Sequence, residues 1–75
     1  MNILGFAICV ENEGYSASLE KHKVYAVTMR ESNDPKDYIR IVDESGEDYL
    51  YPAGWFESVS LGTRIEASLR ESIAS

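Results

Sequence analysis

Residues 43–56 read DESGEDYLYPAGWF, and this stretch decides the fold of the 75-residue chain. The run Glu44-Ser45-Gly46 predicts a tight hairpin, because a glycine there supplies the positive φ that such turns need. Strands are predicted on both sides of it, over Asp37–Asp43 and Glu47–Tyr51. Pro52 ends the second of these strands, since it cannot donate a ladder hydrogen bond, and the residues that follow leave room for a single turn.

The sequence pattern predicts three more strands, the last of which begins at the end of this stretch, and one helix. Segments rich in β-branched or aromatic residues predict strands over Ile3–Val10, Lys23–Met29 and Phe56–Ser60. The tail changes period, because apolar residues recur there at every fourth position: Leu61, Ile65, Leu69 and Ile73. With Thr63 and Glu66 in the pattern of a capping box, this spacing predicts a helix over residues 63–73. Its apolar stripe could pack on the sheet, pair with a second chain or leave the helix fraying.

The order of these elements resembles the layout of SH3 domains, in which a long loop, a medium loop, a tight hairpin and a single turn separate five strands. The hexad Tyr51-Pro52-Ala53-Gly54-Trp55-Phe56 adds to the resemblance. SH3 domains end strand four with an apolar residue, Pro, two small or polar residues, an aromatic residue and an apolar residue. The resemblance implies a mainly β fold, a five-stranded SH3-like antiparallel barrel over residues 1–61, with a short C-terminal α-helix in the tail over residues 62–75.

The chain departs from the SH3 domains that bind proline-rich peptides at two places. Those domains carry a tryptophan at the start of strand three, where this chain has Asp37-Tyr38. They also carry an Ala-x-Tyr-x-Tyr motif in strand one, where this chain has Gly5-Phe6-Ala7. The resemblance therefore implies the barrel without naming its ligand.

A second resemblance is to a group of short, uncharacterised bacterial and phage-encoded proteins. It rests on Ser16-x-Ser18-Leu19, on Lys23-x-Tyr25-x-Val27 and on residues 43–52. This resemblance implies a bacterial or phage source and adds no activity.

Charge and cysteine content limit the expected partners and the compartment. Seven Lys and Arg residues against 13 Asp and Glu residues give a net charge of −6, which repels nucleic-acid phosphates and anionic membranes. The expected partner is a protein or peptide, and the negative charge favours a basic one. The lone Cys9 cannot close an intrachain disulfide, so a reducing compartment, the cytoplasm, is expected. No stretch approaches the roughly 20 apolar residues of a membrane-spanning helix.

Aromatic and acidic residues form the candidate site. In an SH3-like barrel, several of the rings would lie between the first long loop and the final turn, beside the carboxylates of that loop. Flat rings and carboxylates suit extended peptides that carry Pro, Lys or Arg. The predicted partner-binding residues are Tyr15, Tyr38, Tyr51, Pro52, Trp55, Glu11 and Glu13. The alternative is that the same rings fill the core of a small domain.

The sequence offers no set of residues for catalysis or for a metal ion, so no enzyme and no cofactor are expected. His22 is the only histidine and lies in a polar stretch, and Cys9 lies in an apolar strand without basic neighbours, as a buried, inert cysteine would. The carboxylates of residues 43–48 lack the alternating spacing of calcium loops and are interpreted as part of the hairpin.

The leading functional hypothesis is a non-enzymatic, cytoplasmic protein-interaction module that uses the aromatic and acidic surface. One alternative is a structural protein that forms a homo-oligomer through the helix stripe. The other alternative is an acidic inhibitor that covers the basic surface of a nucleic-acid-binding protein.

Overall fold

The computed structural model describes residues 2–74, which form one antiparallel sheet and a C-terminal helix. The strands are β1 (Ile3–Cys9), β2 (Val24–Thr28), β3 (Tyr38–Val42), β4 (Asp48–Pro52) and β5 (Phe56–Val59). A 3₁₀ turn, Ala53–Trp55, joins β4 to β5, and helix α1 spans Thr63–Ala74. The strand order is β4-β3-β2-β1-β5, so the sheet is open, with β4 and β5 at its edges. The mainly β class, the five antiparallel strands and the C-terminal helix are thus confirmed.

Alternation along the strands gives the sheet two buried faces. The loop-side face is covered by Leu19 from the long loop between β1 and β2, which packs among Cys9, Tyr25, Ile41 and Tyr51. The helix-side face is covered by the C-terminal segment, whose Leu61, Leu69 and Ile73 pack against Phe6, Ala26 and Val42. Each face is therefore closed by a segment that is not a strand.

The long loop between β1 and β2 is ordered, as predicted. Leu19 is fully buried and anchors the loop in the loop-side face. Asn12 Nδ2 donates to the Leu19 carbonyl at 2.9 Å. The Glu44 N–H donates to the Ser18 carbonyl, also at 2.9 Å, and so joins the loop to the β3–β4 hairpin. The loop itself forms no strand, so these hydrogen bonds give its backbone carbonyls the partners that a strand ladder would supply.

Two arginines organise the loop between β2 and β3. The Arg30 guanidinium donates to the carbonyls of Asp34, Pro35 and Tyr38 at 2.7 to 3.0 Å. Arg40 binds the Asp34 carboxylate through two hydrogen bonds of 2.6 and 3.0 Å. These hydrogen bonds from Arg40 hold the pKa of Asp34 below its usual range. Side chains thus replace the missing backbone ladder in this loop.

Helix α1 does not begin with the predicted capping box. Its Glu66 side chain pairs with Arg70 instead, and Arg70 also connects the helix to β1. The Glu66 N–H donates to the Gly62 carbonyl at 3.0 Å, which puts Gly62 at the N-cap position. The Glu66 carboxylate accepts hydrogen bonds of 3.1 and 3.0 Å from Arg70, one turn further along. Arg70 also donates to the Ile3 carbonyl at 3.0 Å and lies 5.7 Å from the centroid of the Phe6 ring.

The predicted helix stripe packs on the sheet, which confirms one of the three arrangements that the sequence allows. Leu61, Leu69 and Ile73 belong to the helix-side face, whereas Ile65 is 50% exposed. A homo-oligomer through this stripe stays a prediction, and most of the stripe already has a partner within the chain.

Leu69→Glu is expected to lower the free energy of unfolding by about 1–2 kcal/mol, because it places a charge where a leucine now packs on the sheet. Ile65→Glu is the matched control, since it adds the same charge to an exposed position of the same helix. It should change stability by less than about 0.5 kcal/mol. Urea unfolding followed by Trp55 fluorescence measures both values, and equal losses would contradict the docking of α1.

Gly46→Val is expected to destabilise the fold by about 1–3 kcal/mol, because Gly46 has a φ of +84° and a β-branched residue fits that conformation poorly. A Cβ atom at this position would meet no atom within 4 Å, so the expected loss comes from the backbone conformation and not from a clash at Cβ. Gly5→Val is the control, since it makes the same substitution at a glycine of β1 that also has open space around its Cβ position and no positive φ, and it should cost much less. A melting temperature unchanged by Gly46→Val would contradict this account of the hairpin.

Candidate partner-binding site

Three rings form an aromatic cluster on the loop-side face: Tyr15, Tyr51 and Trp55. The Tyr15 ring stands edge-on to Tyr51, with centroids 5.5 Å apart, and to Trp55, with centroids 5.7 Å apart. Tyr51 and Trp55 are stacked at 6.3 Å. Tyr51 is buried, but Tyr15 is 50% exposed. The cluster therefore holds the exposed Tyr15 ring in a fixed orientation against the buried Tyr51 and the half-buried Trp55.

The β3–β4 hairpin holds the cluster through the buried carboxylate of Asp43, which is 7% exposed. The Tyr51 hydroxyl donates to Asp43 Oδ2 at 2.6 Å. The Ser45 N–H and hydroxyl donate to Asp43 Oδ1 at 2.9 and 2.5 Å. Burial acts to raise the pKa of Asp43, but these hydrogen bonds outweigh burial and hold it below its usual range. Burial, together with the bond to Asp43, raises the pKa of Tyr51 to about 12.

A second charged group lies beside the hairpin and is already paired. The Glu44 carboxylate accepts hydrogen bonds from Lys23 Nζ at 2.6 Å and from the Tyr25 hydroxyl at 2.5 Å. The hydrogen bond from Lys23 has the largest effect and that from Tyr25 adds to it, and together they hold the pKa of Glu44 below its usual range. Burial raises the pKa of Tyr25, and its bond to Glu44 adds to that effect. Lys23 therefore neutralises Glu44 and not Asp43.

The structure brings three of the predicted site residues into the cluster and places two on the other side of the sheet. Tyr38 and Pro52 face each other across β3 and β4, in the alternate register to Ile39 and Tyr51. Since Tyr51 belongs to the loop-side face, Tyr38 points to the helix side, where it is 39% exposed. Tyr38 and the cluster therefore belong to different surfaces.

The predicted acidic residues lie in the loop that leads from β1 to Tyr15. Glu11 is half-buried, and its carboxylate accepts the Asn12 N–H at 3.2 Å. Glu13 is exposed in the turn that follows. The Asn12 carbonyl accepts the Tyr15 N–H at 2.8 Å, which closes this turn just before the exposed ring. Glu11 and Glu13 thus precede the exposed Tyr15 of the cluster closely along the chain.

An open groove beside Tyr15 contains residues that were not predicted as site residues. This hairpin groove is lined by Tyr15, Ser18, Asp43, Ser45, Tyr49 and Tyr51, among others. Tyr49 is half-exposed and lies two positions before Tyr51 on the same strand, so both rings share one face. That spacing in β4 was the feature of the sequence that could have placed Tyr49 in the site.

The described residues carry neither a metal site nor an exposed thiol. No group of three or more His, Cys, Asp or Glu side chains within residues 2–74 is arranged to hold a metal ion. Cys9 is fully buried, as predicted, and its Sγ donates to the Glu11 carbonyl at 3.2 Å. Burial raises the pKa of the Cys9 thiol, which keeps it in the unreactive protonated form. Within the same residues, α1 is too short and too polar to cross a bilayer.

No family model, no curated protein and no solved structure matches the chain. What the aromatic cluster and the hairpin groove do must therefore be inferred from the contacts within this chain.

Tyr51→Phe removes one hydrogen bond from Asp43 and is expected to lower the free energy of unfolding by about 1–2 kcal/mol near neutral pH. The loss should shrink in acid. The pKa of Asp43 is lower in the folded chain than its unfolded value of about 3.9, so the stabilisation is present above about pH 4 and disappears as the pH falls through the folded pKa. Urea unfolding at about pH 7 and about pH 2 measures the difference.

Tyr38→Phe is the control for this experiment, because it removes the same hydroxyl from an exposed ring on the helix side. It should alter stability little at either pH. A loss for Tyr51→Phe that is the same in acid as at neutral pH would contradict the role given to the Asp43 charge.

Proposed function

We propose that the protein is a non-enzymatic interaction module that binds a basic segment of a partner protein on the aromatic cluster. The observation that carries the proposal is the half-exposed Tyr15 ring, held edge-on by Tyr51 and Trp55. A ring that is already fixed loses little conformational freedom on binding. Its surface accepts a proline ring or a cationic side chain.

An SH3-like small barrel that stays open between β4 and β5 is the architecture that we propose for the sheet. Five strands in the expected order support it, as does the 3₁₀ turn Ala53–Trp55 directly after Pro52. The turn puts Trp55 at the aromatic place of the hexad, and the Trp55 carbonyl accepts the Val10 N–H at 2.8 Å, next to the start of the long loop. In such a barrel the groove between this loop and the turn is a natural binding surface.

The charge of the chain favours a basic partner. The tail carries Arg64 and Arg70 against Glu66 and Glu71, so the net charge of −6 lies on residues 1–61. That part also carries the cluster and the carboxylates of Glu11 and Glu13. A field of this sign speeds the approach of cationic segments and weakens as salt is added.

Titration of the ¹⁵N-labelled chain with a synthetic peptide of alternating Pro and Arg residues tests the proposal. The Trp55 indole N–H and the Tyr15 amide should shift, because the peptide lies against both rings. Tyr15→Ala should weaken binding roughly fivefold or more, as expected for the loss of an aromatic contact.

Tyr38→Ala is the matched control, since it removes an exposed tyrosine ring from the other side of the sheet and should leave the affinity within about twofold. A peptide with Glu in place of Arg should bind less tightly, and added salt should weaken the Arg peptide. Shifts confined to α1, or no shifts at all, would overturn the proposal.

A further inference from the structure

The hairpin groove contains a buried negative charge without a cationic neighbour. Asp43 accepts hydrogen bonds from the Ser45 N–H, the Ser45 hydroxyl and the Tyr51 hydroxyl, all of which are neutral donors. None of the ion pairs within residues 2–74 includes Asp43. The nearby Lys23 is held by Glu44. The charge of Asp43 is therefore satisfied by hydrogen bonds but is not neutralised.

Two tyrosine rings form the walls of the same groove. Tyr15 and Tyr49 are each half-exposed, and both line the groove together with the buried Tyr51. A cation over a tyrosine ring is attracted by the negative face of the ring, and the attraction grows when water is excluded. The aliphatic stem of a lysine or arginine side chain also packs well against flat rings.

A metal ion does not suit this arrangement. Hard cations such as calcium take six to eight oxygen ligands, and Asp43 is the one carboxylate among the residues that line the groove. Aromatic walls around a single carboxylate match an organic cation instead, because the rings contact its carbon atoms while the carboxylate balances its charge.

We propose that the hairpin groove takes one lysine or arginine side chain of the partner, with its stem between Tyr15 and Tyr49 and its charged end towards Asp43. The inference rests on the proposed interaction function and adds which side chain the partner must offer. It also gives Tyr15 two roles, since this residue belongs both to the aromatic cluster and to the lining of the hairpin groove.

Capped pentapeptides of Gly and Ala with one central test residue probe the groove in the full chain. The central residue is arginine, lysine, citrulline or norleucine, and each peptide is added to roughly 5 mM, since one side chain binds in the millimolar range. The arginine or lysine peptide should shift the amides of Tyr49 and Ser45. Citrulline matches arginine in shape without its charge, and norleucine has an aliphatic stem like that of lysine without the ammonium group, so neither peptide should shift them.

Two variants and one control make the test specific. Tyr49→Leu keeps an apolar residue on the strand and should weaken the arginine or lysine peptide at least about threefold. Asp43→Asn should weaken it as well, but Asp43 also holds Ser45 and Tyr51, so the comparison of arginine with citrulline is the test of the charge. Glu57→Gln removes the same charge from an exposed position on β5 and should change the affinity less than about twofold.

Equal shifts from the arginine and citrulline peptides would overturn the proposal, and so would the absence of shifts at Tyr49 and Ser45. If the Pro-Arg peptide shifts the Trp55 indole while Tyr49→Leu binds it normally, the groove is excluded and the aromatic cluster stands. If the arginine peptide shifts Tyr49 while the Pro-Arg peptide leaves Trp55 unchanged, the groove stands and the cluster is excluded.

Discussion

The hydrogen bond from the Tyr51 hydroxyl to the Asp43 carboxylate joins the tight hairpin to the aromatic cluster. Asp43 Oδ1 holds the turn through Ser45, while Oδ2 holds the ring of β4. Tyr51 in turn contacts Tyr15 and Trp55, so one carboxylate orients the turn, the strand and the exposed ring. A charge this deeply buried is tolerated because both of its oxygens accept hydrogen bonds. The geometry of the candidate site therefore depends on the hairpin.

Small size explains why segments outside the sheet matter so much. A domain of this length buries only about 60% of the surface that its unfolded chain exposes, so one sheet cannot bury both of its faces by itself. Leu19 covers the loop-side face and Leu69 covers the helix-side face. The Glu44 N–H donates to the Ser18 carbonyl and so anchors Leu19 next to the hairpin. The loop between β1 and β2 therefore both covers the core, through Leu19, and lines the hairpin groove, through Tyr15 and Ser18.

Local rules made most of the fold predictable from the sequence. The positive φ of Gly46 was predicted from the hairpin turn, and helix α1 was predicted from apolar residues at every fourth position. Both predictions depend on a few neighbouring residues, and both were confirmed. The capping box was wrong because Gly62, and not Thr63, is at the N-cap; Glu66 instead pairs with Arg70, which also reaches the Ile3 carbonyl 67 positions away. The cluster was only partly predictable for a similar reason. Tyr15 lies in a loop without periodicity, so nothing local indicated which face of the sheet it would join or that Tyr38 would lie on the other.

Core filling and binding are alternative roles for the tyrosines when the sequence alone is considered, but in the structure one cluster contains both a buried tyrosine and an exposed one. Tyr51 is 4% exposed and fills the core, whereas Tyr15 rests on it with half of its surface free. A free ring on a mobile loop would lose much of its binding energy to ordering. In the proposed complex Tyr15 would avoid most of that loss, because Tyr51 beneath it is fixed by the sheet and by Asp43. The same packing that stabilises a small domain can therefore hold the exposed ring of Tyr15 ready for a contact.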